Sequence, residues 1–440
     1  MRRRHAIVFA CTPWTRYSVN ALVATIDKLN LIDVYVIDKL ENIIPLVNLL
    51  SKKYVKLIFA FSLNTIMLTY NEILDKIIEI NMVLRRNNNV IKIAGGPHAT
   101  GDPLGTIKKL GFDIVVIGEG EETLSNITQV IVNNGDLFRI KGVYTLFDNK
   151  PLFTGRRKPI DLNKYLSFPI WRRMAGPIEI TRGCPYGCFY CQVSYMHGFD
   201  ARHRNIDSIV YHAEAMAKLG YRDIRFITPN GLGYGLTSLS NRPNIGLLEE
   251  LLEMLKRKVC ERYGSRIFYG TFPSEFRPEH ISYEITKMLR KYVTNKNIII
   301  GAQSGSDRIL KIINRGHTVS DVFNAVEALH KAGFKADVDF IIGLPGETKE
   351  DQLSTLDVMK KLVSIGARIH LHVFMPLPGT PFAFAKPTRI PKWLKKEVYR
   401  LIGKGAAYGQ WLRQEEIAQK IYMLRRKGII LTGTVNYHYR

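Results

Sequence analysis

Residues 182–191 read Arg182-Gly183-Cys184-Pro185-Tyr186-Gly187-Cys188-Phe189-Tyr190-Cys191, directly after the strand-like run Pro177–Thr181. Three of the five cysteines in the chain fall in this one segment. Gly183, Pro185 and Gly187 let a short loop curl until three thiolates converge. Soft thiolates select zinc, copper or iron–sulfur clusters. No neighbouring residue supplies the tidy fourth ligand of a closed zinc site, whereas three thiolates can hold three irons of a [4Fe–4S] cluster and leave the fourth open to a small molecule. Cys11 and Cys260 have no local ligand spacing and read as buried small hydrophobes.

Outward from this loop, the second half of the chain repeats a strand-to-helix rhythm. The expected strands are Pro177–Thr181, Arg222–Thr228, Arg266–Thr271, Ile298–Ala302, Lys335–Ile342 and Ile369–Phe374, with helices such as Asn205–Leu219 and Val319–Ala332 between them. Six such units predict a partial (β/α)6 TIM barrel over residues 174–385, whose functional side chains gather at the strand ends.

The first half, residues 1–148, has expected strands Ala6–Ala10, Asp33–Ile37, Tyr54–Ala60, Val90–Ala94 and Asp113–Ile117. An amphipathic helix is expected over 65–84, where Ile66, Ile73, Leu74, Ile77, Ile78 and Ile80 supply much of one face. This alternation predicts an α/β, doubly wound parallel sheet with ligand loops after the strands. Two loops stand out: Gly95-Gly96-Pro97-His98-Ala99-Thr100-Gly101 and Gly118-Glu119-Gly120-Glu121-Glu122. Neither has the glycine spacing of a dinucleotide fingerprint. A cofactor edge and ordinary turn or helix-capping chemistry both account for them, with Glu121 or Glu122 suited to the first turn of a helix. Residues 149–173 read as a linker broken by Pro151, Pro159 and Pro169; its Arg156-Arg157-Lys158 and Arg172-Arg173 suit either a solvated connector or a phosphate contact.

The 440 residues are 46% hydrophobic and 23% charged, which excludes wholesale disorder. No apolar run approaches the length of a membrane-spanning helix, so no transmembrane segment is expected. Few cysteines and a clustered triad point to a reducing compartment, the cytoplasm, with peripheral attachment at a membrane as an alternative. The formal net charge is +24. A small, helical, basic C-terminal extension, 386–440, carries thirteen Lys or Arg against three Glu. Trp393, Tyr399, Tyr408, Trp411 and Tyr422 are interleaved with Lys395, Lys396, Arg400, Arg413, Arg425, Arg426 and Lys427. This pattern suits tRNA or another polyanion, an anionic membrane surface, or a helical cap packed over the barrel.

The cysteine motif behind its strand resembles that of the radical S-adenosylmethionine superfamily. The resemblance implies that Cys184, Cys188 and Cys191 hold a [4Fe–4S] cluster as metal ligands and catalytic residues, and that S-adenosylmethionine binds the open iron. An external one-electron reductant then drives its cleavage to a 5′-deoxyadenosyl radical that abstracts hydrogen. Tyr190 stands at the family's aromatic position near adenine. Thr228-Pro229-Asn230 replaces the Gly-Gly-Glu of many relatives, leaving Thr228, Asn230 and backbone carbonyls for the methionine amine. The stretch Gly301-Ala302-Gln303-Ser304-Gly305-Ser306, then Asn314-Arg315-Gly316-His317, looks like the fourth-strand region of the methylthiotransferase and cobalamin-associated subgroup; it implies Gln303, Ser304 facing ribose, and Arg315 meeting the cosubstrate carboxylate. Residues 339–347, DFIIGLPGE with Gly343, resemble the fifth-strand end, and 375–381, MPLPGTP, the sixth-strand exit.

The first domain resembles the cobalamin-binding, Rossmann-like domain fused ahead of such barrels. This implies cobalamin contacts from Gly95, Gly96, His98, Gly118, Glu119 and Gly120. The Asp-x-His-x-x-Gly signature of a lower histidine ligand is absent, which leaves cobalt without that ligand or the corrinoid unbound. The expected activity is methylation of an unactivated carbon, with a radical rearrangement, cyclisation or carbon–carbon coupling as the alternative and a non-catalytic iron–sulfur binding module as the bland one. Methylthio transfer needs a second three-cysteine cluster in the preceding domain, which here has only Cys11.

Overall fold

Continuous apolar runs, buried on both faces, make the strands of the first sheet. The computed structural model describes residues 4–236 and 242–431. Strands β1 (His5–Ala10), β2 (Asp33–Ile37), β3 (Lys56–Ser62), β4 (Val90–Gly95) and β5 (Ile114–Val116) run parallel in the order β2-β1-β3-β4-β5. The helix expected over 65–84 forms only from Asn71 to Leu84, because Tyr70 is extended and ends the short turn Met67–Thr69.

Two further strands, β6 (Val143–Phe147) and β7 (Lys150–Phe153), add antiparallel to the edge at β5. Asp148 and Asn149, both with positive φ, form the two-residue turn that matches strand twist. The first residues of the expected 149–173 linker therefore belong to the sheet, with Pro151 tolerated on its edge strand. The remainder of that segment is tied down as well. Ile160, Leu162 and Phe168 are buried, Arg157 pairs with Glu122 at 2.6 Å, and Trp171 and Arg172 donate to Asp27. These arginines satisfy carboxylates of the chain itself.

The second body contains β8 (Ile178–Glu179), a short antiparallel pair β9 (Thr181–Arg182) and β10 (Arg202–His203), then β11 (Asp223–Ile227), β12 (Arg266–Phe268), β13 (Asn297–Gln303), β14 (Lys335–Ile342) and β15 (Arg368–Val373). The parallel sets β12-β11-β8 and β13-β14-β15 form the wall of a partial barrel, with one parallel bridge, Phe276 to Ile300, near the seam. Strand periodicity sorts its faces. Val338, Phe340, Ile369 and Leu371 join the core, while Asp337, Asp339, Arg368, His370 and His372 alternate with them and project from the opposite face of the sheet into the lumen. The helices are capped as their sequences require: Asn205 accepts from Ser208 N, and Thr318 with Asp321 closes a capping box.

The C-terminal extension is more than helical. Between helices Lys392–Gly403 and Trp411–Arg426, strand β16 (Ala407–Tyr408) pairs parallel with β15. Trp411 is only 2% exposed, so it is core and cannot stack on a base. Lys395 is held by Glu415 at 2.6 Å and Arg425 donates to the Ala383 carbonyl, while Arg413 reaches Tyr70 and Leu431 N reaches Asp102. The extension thus fastens the barrel to the first domain. Residues 432–440 of the basic tail lie outside the described residues. Among the described residues, no helix is long and apolar enough to cross a membrane.

Candidate functional site

The cysteine loop leaves β9 and ends at the helix Val193–His197. Gly183 has φ +84° and packs so closely on Asp200 that a side chain would strike its carbonyl; at Gly187, φ +60°, a Cβ would come 2.7 Å from the Phe199 ring. Hydrogen bonds then fix the curl. Ser194 Oγ donates to the Cys184 carbonyl at 2.7 Å and accepts from Gly187 N, Tyr195 donates to the Gly187 carbonyl, and Asn314 Nδ2 donates to that of Tyr186. Burial pushes the Cys184 thiol up and the Cys191 thiol up to about 12, so a bound metal would have to supply the positive charge that converts these thiols to thiolate ligands.

Beside the loop lies a partly buried cation. Arg315 donates to the Gly301 carbonyl at 2.8 Å and holds Nη1 3.7 Å from Cys188 Sγ; among the described residues its Nε has no partner, and neither has Arg277 Nη1. Two unmatched guanidinium donors next to three cysteines fit an iron–sulfur cluster together with an anionic carboxylate. The Gln303 amide crowds over Gly301 beside Arg315, and Asn230 Oδ1 accepts from Arg277 N at 3.2 Å. Thr228 is turned to its own loop, donating to the Asn230 carbonyl. Ser304, expected to face ribose, is instead 1% exposed, 3.4 Å from Thr355 on an outer helix, and accepts from Ser306 N. Gly343 lies at the end of β14 with φ +77° and donates to Glu347, whose burial pushes its carboxyl up to about 7.

Sequence reasoning passed over residues 277–280 as functional candidates. Arg277 lies 3.5 Å above the Tyr186 ring and pairs with Glu279, while the Tyr186 hydroxyl meets His280 at 2.9 Å. Burial holds His280 down at about 4, hence neutral. The signal was present as a charged run, Arg277-Pro278-Glu279-His280, after a barrel strand. The second missed group is in the lumen: on β15 the pattern His370-Leu371-His372 puts two imidazoles on one face.

Between the two domains is a cavity of about 650 Å³. Tyr190 and Cys191 line it from the barrel; Gly95, Gly96, Gly118, Glu119 and Gly120 line it from the first sheet. At Gly96, φ +89°, a Cβ would approach the Leu63 carbonyl to 2.7 Å, so that turn admits only glycine comfortably. His98 does not face this space. It is 1% exposed, lies 3.1 Å from Thr65 through Nδ1, and is held by burial down at about 4. Glu119 is also committed elsewhere, pairing with Arg202 and accepting from Ile160 N at 2.8 Å. Burial raises its carboxyl, but hydrogen bonds from His197 and Arg202 and the nearby guanidiniums outweigh this and hold it at about 2.

The rims of the cavity are in direct contact. Gln192 Nε2 donates to both Pro97 and Pro378 carbonyls, at 3.2 and 2.6 Å, and Gly101 lies flush on the Pro378-Gly379 backbone. The GGPHATG and MPLPGTP segments are thus partly an interdomain joint. Cys11 and Cys260 pack against the hydrophobic cores, as expected of small apolar side chains.

Residues 178–359 match the model of the radical SAM superfamily, and residues 17–128 match that of the B12 binding domain. A "Probable threonylcarbamoyladenosine tRNA methylthiotransferase" of Archaeoglobus fulgidus is 28% identical over 303 residues, 66% of this chain and 67% of that one. The chain spans between about half and about two thirds of the length of several curated relatives it matches. The radical S-adenosylmethionine methyltransferase TsrM of Kitasatospora setae, with cobalamin and a [4Fe–4S] cluster bound, superposes with TM-score 0.66 at 16% identity, over 88% of this chain and 75% of that one. The cobalamin-dependent S-adenosylmethionine radical enzyme OxsB, with aqua-cobalamin bound, superposes with TM-score 0.65 at 15% identity, over 97% of this chain and 61% of that one.

Proposed function

We propose that this chain, which has the radical SAM superfamily fold behind an N-terminal cobalamin-binding domain, is a cobalamin-dependent radical S-adenosylmethionine enzyme that methylates an unactivated carbon. The observation that carries this reading is the shared cavity, which has Tyr190 and Cys191 on one wall and the glycine-rich strand ends on the other. When bound, the cluster with S-adenosylmethionine supplies a hydrogen-abstracting radical and the corrinoid supplies methyl relay. The chain's residues do the positioning. Cys184, Cys188 and Cys191 anchor iron, Arg315 and Arg277 present donors to a carboxylate, and Gly95, Gly96, Gly118 and Gly120 bring the strand-end backbone to the opposite wall.

The test is anaerobic turnover with S-adenosylmethionine labelled in its methyl group. Methyl transfer predicts label in the corrinoid fraction and then in product, together with 5′-deoxyadenosine. Formation of 5′-deoxyadenosine with no label in either fraction would move the assignment to rearrangement, cyclisation or carbon–carbon coupling. Methylthio transfer by a second three-cysteine cluster is disfavoured because Cys11 is the one cysteine in the first domain.

The substrate reading we favour is tRNA. Lys392, Lys396, Tyr399 and Arg400 form an exposed basic stripe with an aromatic ring on the helix Lys392–Gly403. Such a stripe suits phosphate contacts with stacking, and a curated relative is named for a tRNA reaction. Binding to anionic vesicles in preference to tRNA would reassign the stripe to a membrane surface.

A further inference from the structure

The lumen of the barrel holds a second constellation, separate from the cysteines. Asp339 on β14 and His370 on β15 are register partners, and His372 follows on the same face. His370 Nδ1 lies 2.9 Å from Asp339 Oδ1, His372 Nε2 lies 3.2 Å from His370 Nδ1, and His372 Nε2 lies 3.8 Å from Asp339 Oδ2. Their side chains are 15, 25 and 30% exposed, hence reachable by a small ion.

With the Gln414 amide oriented as it is, neutral imidazoles and an ionised Asp339 cannot satisfy every one of these contacts. One ring nitrogen, His370 Nδ1, faces both a carboxylate oxygen and a second imidazole nitrogen, yet it can carry one hydrogen. If that hydrogen is present, it serves Asp339 and His372 Nε2 must lack its own. However, Gln414 Nε2 stands 3.2 Å from His372 Nδ1, in position to donate there, which places the His372 hydrogen on Nε2. If His370 Nδ1 is bare, it accepts from His372 and its lone pair opposes Asp339. The three ligand atoms converge within 4.8 Å of one another, so a cation between them would draw on lone pairs from all three groups at once. Two ligand atoms about 2.1 Å from one ion, at roughly right-angled to tetrahedral spacing, stand about 3.0–3.4 Å apart. The His370–His372 separation falls in that interval, with the Asp339 oxygens at 2.9 Å from His370 and 3.8 Å from His372 just below and above it.

We propose that Asp339, His370 and His372 form a binding site for a divalent first-row transition ion of the zinc or ferrous type. Two imidazoles and one carboxylate on one face are the donor set that such ions take while keeping positions open for water or substrate. The stacked Tyr408 ring, 4.5 Å from His370, holds that imidazole's plane. Gln414 Oε1 is fixed by Val373 N at 2.8 Å and retains a second lone pair; a small swing of the amide lets it accept from His372 Nδ1–H, which frees Nε2 for the ion. The site uses none of the cysteines, so it stands whether or not the methylation reading holds.

The experiment uses cluster-loaded protein, so that iron occupies the cysteine loop. After chelator treatment and addition of Zn2+, wild type should retain about one zinc per chain, and zinc should raise its unfolding temperature. Asp339→Asn and the His370→Gln/His372→Gln pair should bind zinc at least about 100-fold more weakly with iron and sulfide unchanged. Gln414→Ala, which keeps all three ligands, should weaken zinc about 10-fold. Equal zinc binding by wild type and the His pair, no zinc on cluster-loaded wild type, or zinc that disappears only with Cys184→Ala would each overturn the proposal. Should the His pair fail to hold its cluster, Asp339→Asn with Gln414→Ala decides the matter on the same criteria.

Discussion

Arg182, two residues before Cys184, makes a two-point ion pair with Glu121 of the first domain, at 2.7 and 3.1 Å, while also clasping Glu179 of the barrel. Arg182 and Glu121 are 9 and 5% exposed at the side chain. The planar guanidinium serves two carboxylates at once, so the joint between domains and the start of the cysteine loop share one cation. Glu121→Ala leaves that cation half-paired and buried. Loss of about 3 kcal/mol in urea unfolding is expected, with part recovered in the Glu121→Ala/Arg182→Met double variant.

Glu119 gives stability a defined pH dependence. Its folded pKa of about 2 lies below the ordinary carboxylate value near 4.5. Its contribution, about 3 kcal/mol, is therefore fully present above pH 4.5 and lost as pH falls toward 2. The difference in unfolding free energy between wild type and Glu119→Gln should shrink across that window. A difference that stays constant from pH 6 to 2 would contradict the assignment.

The cysteine loop should hold one cluster. Reconstituted protein is expected to contain about four irons and about four sulfides per chain, and Cys184→Ala should abolish cleavage of S-adenosylmethionine. Arg315→Lys, which keeps charge but loses the fork, should weaken S-adenosylmethionine binding roughly tenfold at unchanged iron content. Equilibrium binding on the cluster-loaded variant checks this.

Gly101 is a sensitive point of the interdomain joint. A methyl group there meets the Pro378 carbonyl, so Gly101→Ala should cost about 1–3 kcal/mol and reduce corrinoid retention. Thermal unfolding followed by corrinoid absorbance distinguishes the two effects.

The basic stripe makes a salt-dependent prediction. Lys392→Ala/Lys396→Ala should lower the slope of log affinity for tRNA against log salt by about 2, because about two counterion-releasing contacts are lost. Filter binding at several salt concentrations reads that slope. Variants at Lys395 or Arg425 are poor probes, since both side chains support the fold.

By itself, the sequence determined what depends on local pattern. The cysteine spacing, the glycines that curl its loop, the five parallel strands of the first sheet and the six of the barrel were all legible, because periodicity and turn chemistry are written in neighbouring residues. The hairpin of β6 and β7 was obscured by its short strands and by Pro151. Only the tertiary structure decided where isolated side chains went. Glycines at 95–101 are spaced for a ligand loop, yet Gly101 serves contact with Pro378, a residue distant in sequence. His98 and Glu119 look free in a glycine-rich loop but are consumed by Thr65 and by Arg202. Trp411 sits in a basic segment and is nevertheless core. Asp339, His370 and His372 converge because parallel register sets β14 against β15. Long-range pairing of this kind is chosen by burial and charge compensation across the whole chain.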